Sequence, residues 1–274
     1  MIYWRERGRR VVSAVLPWMP LALPLYLIRF RIGGLPTTLL ELLLLALLAT
    51  FTFAERTEGW QRGWERMGKW RGVVVAWVLA TIVAVVAAPQ LFAGFGLWRA
   101  YVLEPVLVFV VLQAVLTEEW QRRRLQRSLL LIVFPLVAWA LVQFITGKGI
   151  PHPWDVSIAA GRRATGPYPF PNALALFVTP IAAYAFAAWV RYPRRVLSLI
   201  TFIVSVIGIL LVRSDGGLVG LLAAMTLTLL GVRWGRWLVA VGTTGVIVVL
   251  GFIPSIRTAL WQELTFQGWS GRVR

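Results

Sequence analysis

Residues 161–177 read GRRATGPYPFPNALALF, and the groups that could do chemistry stand at the front of that run. Arg162 and Arg163 are adjacent, Gly166 and Pro167 make a turn, and Pro169, Pro171 and Asn172 lead into an apolar stretch. A guanidinium is a planar fork that binds oxyanions through paired N–H groups. Proline suits the first helical position, where a missing N–H costs nothing. The pattern therefore predicts a helix from near Asn172, with free N–H groups and a partial positive charge at its start. Arg162, Arg163 and that terminus together would form an anion site. The same residues could also form an interfacial loop whose arginines reach out to water.

Other polar residues fall at a matching depth. Lys148 shares the segment 147–170 with the two arginines. Glu41 lies six residues past Leu35, about 9 Å along a helix starting there. Glu104 lies five residues past Arg99. Charged side chains within a membrane need partners or water, and Arg29, Arg31, Arg99 and Gln143 are near enough in depth to serve. The turn RSDGG, 213–217, adds Arg213 and Asp215. Two arrangements satisfy these residues: a wet polar vestibule between helices, or ion pairs that pack helices together. Gly216 and Gly220 form a small-xxx-small pair suited to close helix packing. His152, the one histidine, sits between Pro151 and Pro153 and reads as a loop residue. The chain has no cysteine, so disulfides and thiolate metal sites are excluded. Phosphate-loop, zincin and serine-hydrolase motifs are missing from the sequence.

The elements that must position these groups are apolar. Of 274 residues, 59% are hydrophobic and 14% charged, against about a quarter charged in soluble domains. Nine apolar segments recur, near 11–28, 35–53, 73–88, 100–116, 129–146, 172–190, 196–212, 218–232 and 237–253. None alternates as a barrel strand must, so the expected class is all-α. The expected architecture is one polytopic membrane domain over 1–274 with about nine transmembrane helices. The net charge of +17 does not point to nucleic acid, because the cations cluster between apolar runs, where they orient membrane helices. One alternating set of loops holds 18 of the 28 Lys and Arg residues. That set should be cytoplasmic, with the N-terminus inside, the C-terminus outside and 147–170 the longest internal outer loop. Within the inner set, GWQRGWERMGKWRG (59–72) sets Trp60, Trp64 and Met67 at helical spacing. It fits either a positive-inside loop or a helix lying on the membrane surface.

The segment ATGPYPFPNALALFVTPIAAY resembles the O-antigen ligase/polymerase family. The matching positions are Arg163, Gly166, Phe170, Pro171, Asn172, Leu174 and Ala175. The run RSDGGLVGLLAAM resembles the family's Ser–Arg–Gly turn through Ser214 and Gly216, although Asp215 holds the usual arginine position and Arg213 is displaced by one. The tail SGRVR resembles the stretch leading into the family's large outer loop. Since the family continues past such a loop, the resemblance implies that this sequence is C-terminally incomplete.

The resemblance implies a bacterial plasma-membrane glycosyltransferase with its active face outward, serving lipopolysaccharide or polysaccharide biosynthesis. Such an enzyme moves a glycan from an undecaprenyl diphosphate carrier to a saccharide or protein acceptor, with no metal or cofactor. Arg163, helped by Arg162, would then grip the diphosphate, and Arg213 would approach from its turn. Asn172 would orient the loop or a sugar hydroxyl, with Glu41, Glu104 and Lys148 in the substrate vestibule. Glu104, Asp155, Asp215 or a residue past 274 would take the acceptor's proton. The alternatives are a transporter or lipid-linked-sugar flippase, with Glu41 and Glu104 as coupling sites, and a non-catalytic scaffold.

Overall fold

The computed structural model describes residues 2–32 and 35–252, and it is all-helical apart from one short hairpin. It forms two compact units, Met1–Leu174 and Ala175–Arg274.

In the first unit, helix α1 (Ile2–Val15) runs into a 3₁₀ segment, Leu16–Leu27. Pro17, Pro20 and Pro24 explain the change of winding, because each removes a backbone donor and clashes with the preceding turn of an α-helix. Strands β1 (Arg29–Ile32) and β2 (Leu35–Thr38) then pair antiparallel, with Arg29 opposite Thr38 and Phe30 opposite Thr37. Helix α2 (Leu39–Arg66) follows, capped by Thr38, whose hydroxyl accepts from the Glu41 amide at 3.1 Å. The expected start of this helix at 35 is thus corrected. Residues 35–38 are held by pairing to β1, and Glu41 sits in the first turn rather than 9 Å inside.

Helix α2 turns sharply at Arg56 (φ 54, ψ −153) and continues as helix to Arg66. The segment 59–66 is therefore helix rather than loop, set off from the first part of α2 by the break at Arg56, with Trp60 packed edge-on against Phe51 at 5.2 Å. Helix α3 (Trp70–Val86) departs at 103°. Helix α4 (Leu91–Trp98), a π-turn (Arg99–Leu103) and α5 (Glu104–Val115) form one 25-residue rod. Helices α6 (Glu119–Leu131), opened by a Glu118/Gln121 capping box, and α7 (Val133–Thr146) form another of 28 residues. Val12, Leu16, Leu47, Leu48, Phe51 and Val111 make the core between α1, the 3₁₀ segment, α2 and α5. Helix α2 approaches α5 so closely at Gly63 that a Cβ there would lie 2.3 Å from the Val110 carbonyl oxygen. Such backbone proximity suits helix association in lipid, where van der Waals contact replaces the hydrophobic drive.

Helix α8 (Pro171–Arg191) leads into the second unit, followed by α9 (Val196–Leu211), α10 (Asp215–Leu230) and α11 (Arg233–Phe252). Phe186 of α8 meets Phe202 of α9 at 5.1 Å. The expected packing role of Gly216 is corrected. Gly216 borders open space, whereas a Cβ on Gly217 would lie 3.2 Å from Thr179 Oγ1 and 3.3 Å from Ala175 Cβ. Gly217 and Gly220 are the small residues facing α8.

Each of the nine apolar segments is mostly helix over its described part, although 35–38 of the second form strand β2. Among the described residues, four helices are long and apolar enough to cross a membrane: Tyr3–Leu27, Leu91–Val115, Glu119–Thr146 and Pro171–Arg191. The count rises to five if the bent pair Leu39–Arg66 and Trp70–Val86 is one span. None of α3's residues is buried. An apolar helix without a buried face suits a lipid surround better than water.

Candidate functional site at the mouth of α8

Gln143 in the last turn of α7 organises segment 147–170. Its side chain is buried. Its Oε1 accepts from the amides of Thr165 (3.1 Å) and Gly166 (2.8 Å). Its Nε2 donates to the carbonyls of Gly149 (2.7 Å) and Gly166 (2.9 Å). One side-chain amide thus serves four backbone groups and fixes both ends of the segment. Helix α7 itself ends at Gly147 in a left-handed turn, φ +72, where a Cβ would lie 2.7 Å from Arg162 Nη2.

The two arginines have different surroundings. Arg162 Nη1 donates to the Phe144 carbonyl at 2.9 Å, and its Nε donates to Val156 O at 2.8 Å. Its charge complements the negative C-terminal end of α7. Arg163 lies over the Trp154 indole, 4.9 Å from the ring centroid, and its Nη2 donates to Asn172 Oδ1 at 2.9 Å. Asn172 is the exposed second residue of α8, directly after Pro171. The guanidinium, the amide and the free end of α8 therefore converge at one helix mouth.

Lys148 is exposed in the same segment, and its backbone amide donates to Thr146 Oγ1. Asp155 Oδ1 is 3.3 Å from His152 Nδ1, both partly or largely exposed. Tyr168 is buried, with its ring 6.2 Å from that of Tyr26. Burial, and secondarily Tyr26, pushes the Tyr168 phenol above its ordinary range. Tyr26 also lies within electrostatic reach of Tyr101 and Arg29. Tyr168 of the segment therefore packs at the end of the first unit where the 3₁₀ segment leads into the hairpin.

At that end Glu41 and Glu104 are brought together as ion pairs. Arg99 Nη2 meets Glu41 Oε1 at 2.5 Å, and its Nε lies 3.7 Å from Glu104 Oε1. Thr37 on β2 donates its hydroxyl to Glu41 Oε2 at 2.9 Å. Both carboxylates are buried, so one guanidinium joins the first turns of α2 and α5. These contacts are the helix-joining ion pairs the sequence allowed. Arg213 and Asp215 belong to the second unit. Arg213 is exposed in a left-handed turn (φ +47), Ser214 caps α10 by accepting from the Gly217 amide, and Asp215 opens that helix.

Sequence reasoning passed over Trp154 and Thr37. A tryptophan in a loop between apolar helices is a recognisable interface residue, but its stacking under Arg163 depends on how the loop folds back. Among the described residues, no group of three or more His, Asp or Glu side chains is placed to hold a metal ion. No protein-family model matches this chain, and neither a curated protein nor a solved structure matches it.

Proposed function

We propose that this chain is a multi-pass protein of the bacterial plasma membrane that transfers a glycan from an undecaprenyl diphosphate carrier to a saccharide or protein acceptor. This is the chemistry of an O-antigen ligase or polymerase. In the proposed topology nine spans place the N-terminus inside and segment 147–170 outside. The observation that carries the reading is Arg163, held between the Trp154 ring and Asn172 at the start of an apolar helix. A lipid-linked diphosphate would arrive at such a helix mouth, its phosphates at headgroup depth and its chain in lipid.

The reaction breaks the bond between the anomeric carbon and the diphosphate oxygen. The electron pair stays on the diphosphate, the acceptor hydroxyl oxygen bonds to the anomeric carbon, and the acceptor's proton goes to a base. Charge gathers on the leaving group, where a preorganised cation stabilises it most. Arg163 fills that role. Arg162 acts as a positioning residue, because its donors are given to the end of α7 and to Val156. Asp155, beside His152 in the same segment, is the nearest proton acceptor in sequence, ahead of Glu104, whose carboxylate faces Arg99. Lys148 adds positive charge to the segment.

The test is transfer from a purified lipid-linked glycan. Arg163→Ala should abolish transfer, and Arg163→Lys should leave a small fraction, since a point charge replaces a planar fork. Near-wild-type transfer by both variants removes Arg163 from the mechanism. The second reading, a transporter or flippase, draws on two buried carboxylates sharing one guanidinium. Transfer without translocation decides against it.

A further inference from the structure

A cavity of about 190 Å³ lies between α1, α2 and α5, away from the mouth of α8. Its charged wall is Arg9, Glu55 and Arg62, and Ser13 and Thr117 add hydroxyls. Glu55 Oε1 pairs with Arg9 Nε at 2.9 Å, and its Oε2 pairs with Arg62 Nη2. Each guanidinium thus gives one nitrogen to the carboxylate. The carboxylate is mostly covered (15% exposed), whereas the arginines are about half exposed (52% and 46%). Two cations on one anion leave a positive charge uncompensated beside the cavity. The remaining wall is apolar, with Val12, Phe51, Ala54 and Val115.

Two further contacts hold the cavity in shape. Gln121 Nε2 donates to Ser13 Oγ at 3.1 Å, and Arg66 Nη1 donates to the Ala114 carbonyl at 2.9 Å. Fourteen residues separate Glu41 from Glu55 on α2, a rise of about 21 Å. That is most of a hydrocarbon core about 30 Å thick. With Glu41 near one surface, Glu55 approaches the headgroups of the other. A held pair of guanidinium forks suits a tetrahedral oxyanion, and an apolar wall alongside suits an amphiphile that carries one.

We propose that this cavity binds a phosphate-type anion between Arg9 and Arg62, with Glu55 holding their forks in place. A phospholipid headgroup and free phosphate share that chemistry. The site stands apart from the glycan-transfer reading.

The experiment uses the full chain in neutral detergent micelles, probed with dioleoyl phosphatidylglycerol, dioleoyl phosphatidylcholine or inorganic phosphate. Bound lipid is read by native mass spectrometry and binding by the shift in melting temperature. Wild type should retain phosphatidylglycerol over phosphatidylcholine, and Arg9→Gln should weaken that retention by about tenfold. Arg9→Gln leaves a neutral Arg62–Glu55 pair, and its melting temperature without lipid checks its fold. The triple variant Arg9→Gln, Glu55→Gln, Arg62→Gln, which matches Arg9→Gln in net charge but leaves no ion pair, should lose the preference altogether. Stabilisation by phosphatidylglycerol alone assigns a lipid, and equal stabilisation by inorganic phosphate assigns a free anion. Equal retention of both lipids with no phosphate effect, or undiminished retention by Arg9→Gln, overturns the proposal.

Discussion

Replacing Gln143 by leucine should unlock the segment that carries Arg163. The side chain is buried and serves four backbone groups. Thr165 Oγ1 still donates to Gly166 O at 3.2 Å after the change, so that carbonyl keeps a partner. The buried amides of Thr165 and Gly166 lose their acceptor. Each uncompensated buried group costs about 1–3 kcal/mol, so the closed segment loses about 2–6 kcal/mol. At a factor of ten per 1.4 kcal/mol, the open population rises roughly 30-fold to more than 10⁴-fold. Hydrogen exchange on the detergent-solubilised chain reads this directly at Thr165 and Gly166, with α2 amides as an internal control. Gln143→Glu supplies the complementary arm. It keeps an acceptor for the two amides and removes the donors to Gly149 and Gly166, so protection should survive at 165–166 better than in the leucine variant. Exchange at Thr165 and Gly166 within about twofold of wild type in Gln143→Leu would refute the reasoning.

Arg99→Leu strands two buried carboxylates and should destabilise the chain by about 3–5 kcal/mol in thermal unfolding. Adding Glu41→Gln and Glu104→Gln should restore much of that loss, and an unchanged melting temperature in Arg99→Leu alone counts against the ion-pair account. Arg56 adopts φ 54, ψ −153, a region in which side chains are strained, so Arg56→Gly should stabilise the kink by about 1–2 kcal/mol; a lower melting temperature contradicts this. The chain has no native cysteine, so single cysteines at the exposed positions 158–160 report topology cleanly. They should react with an impermeant thiol reagent from outside intact cells, and labelling only after lysis reverses the proposed orientation.

Helix positions were legible because apolar runs and Pro or Gly punctuation are local signals. Pro171 marked the start of α8, and the positions of Glu41, Arg99 and Glu104 anticipated that polar groups would gather at one depth. The β-hairpin was not legible, since RFRI and LPTT are four-residue strands too short for a periodic signal, and they displaced the start of α2. The turn at Arg56 was equally hidden, because no proline or glycine occupies that position. The bend between α2 and α3 was not legible either, since an apolar run carries no signal of the angle at which it leaves its neighbour. At the candidate site, adjacency of Arg162 and Arg163 suggested one shared task. Their side chains instead leave the backbone toward different partners, the end of α7 and the Trp154–Asn172 pair. That division depends on the backward turn set by Gln143, a long-range bond that spacing does not encode.

The most direct measurement is retention of undecaprenyl diphosphate against undecaprenyl monophosphate by the full chain in native mass spectrometry. The account predicts that wild type prefers the diphosphate, that Arg163→Ala loses the preference, and that Arg9→Gln keeps it. Equal retention of the two lipids, or an Arg163→Ala variant that still selects the diphosphate, would contradict it.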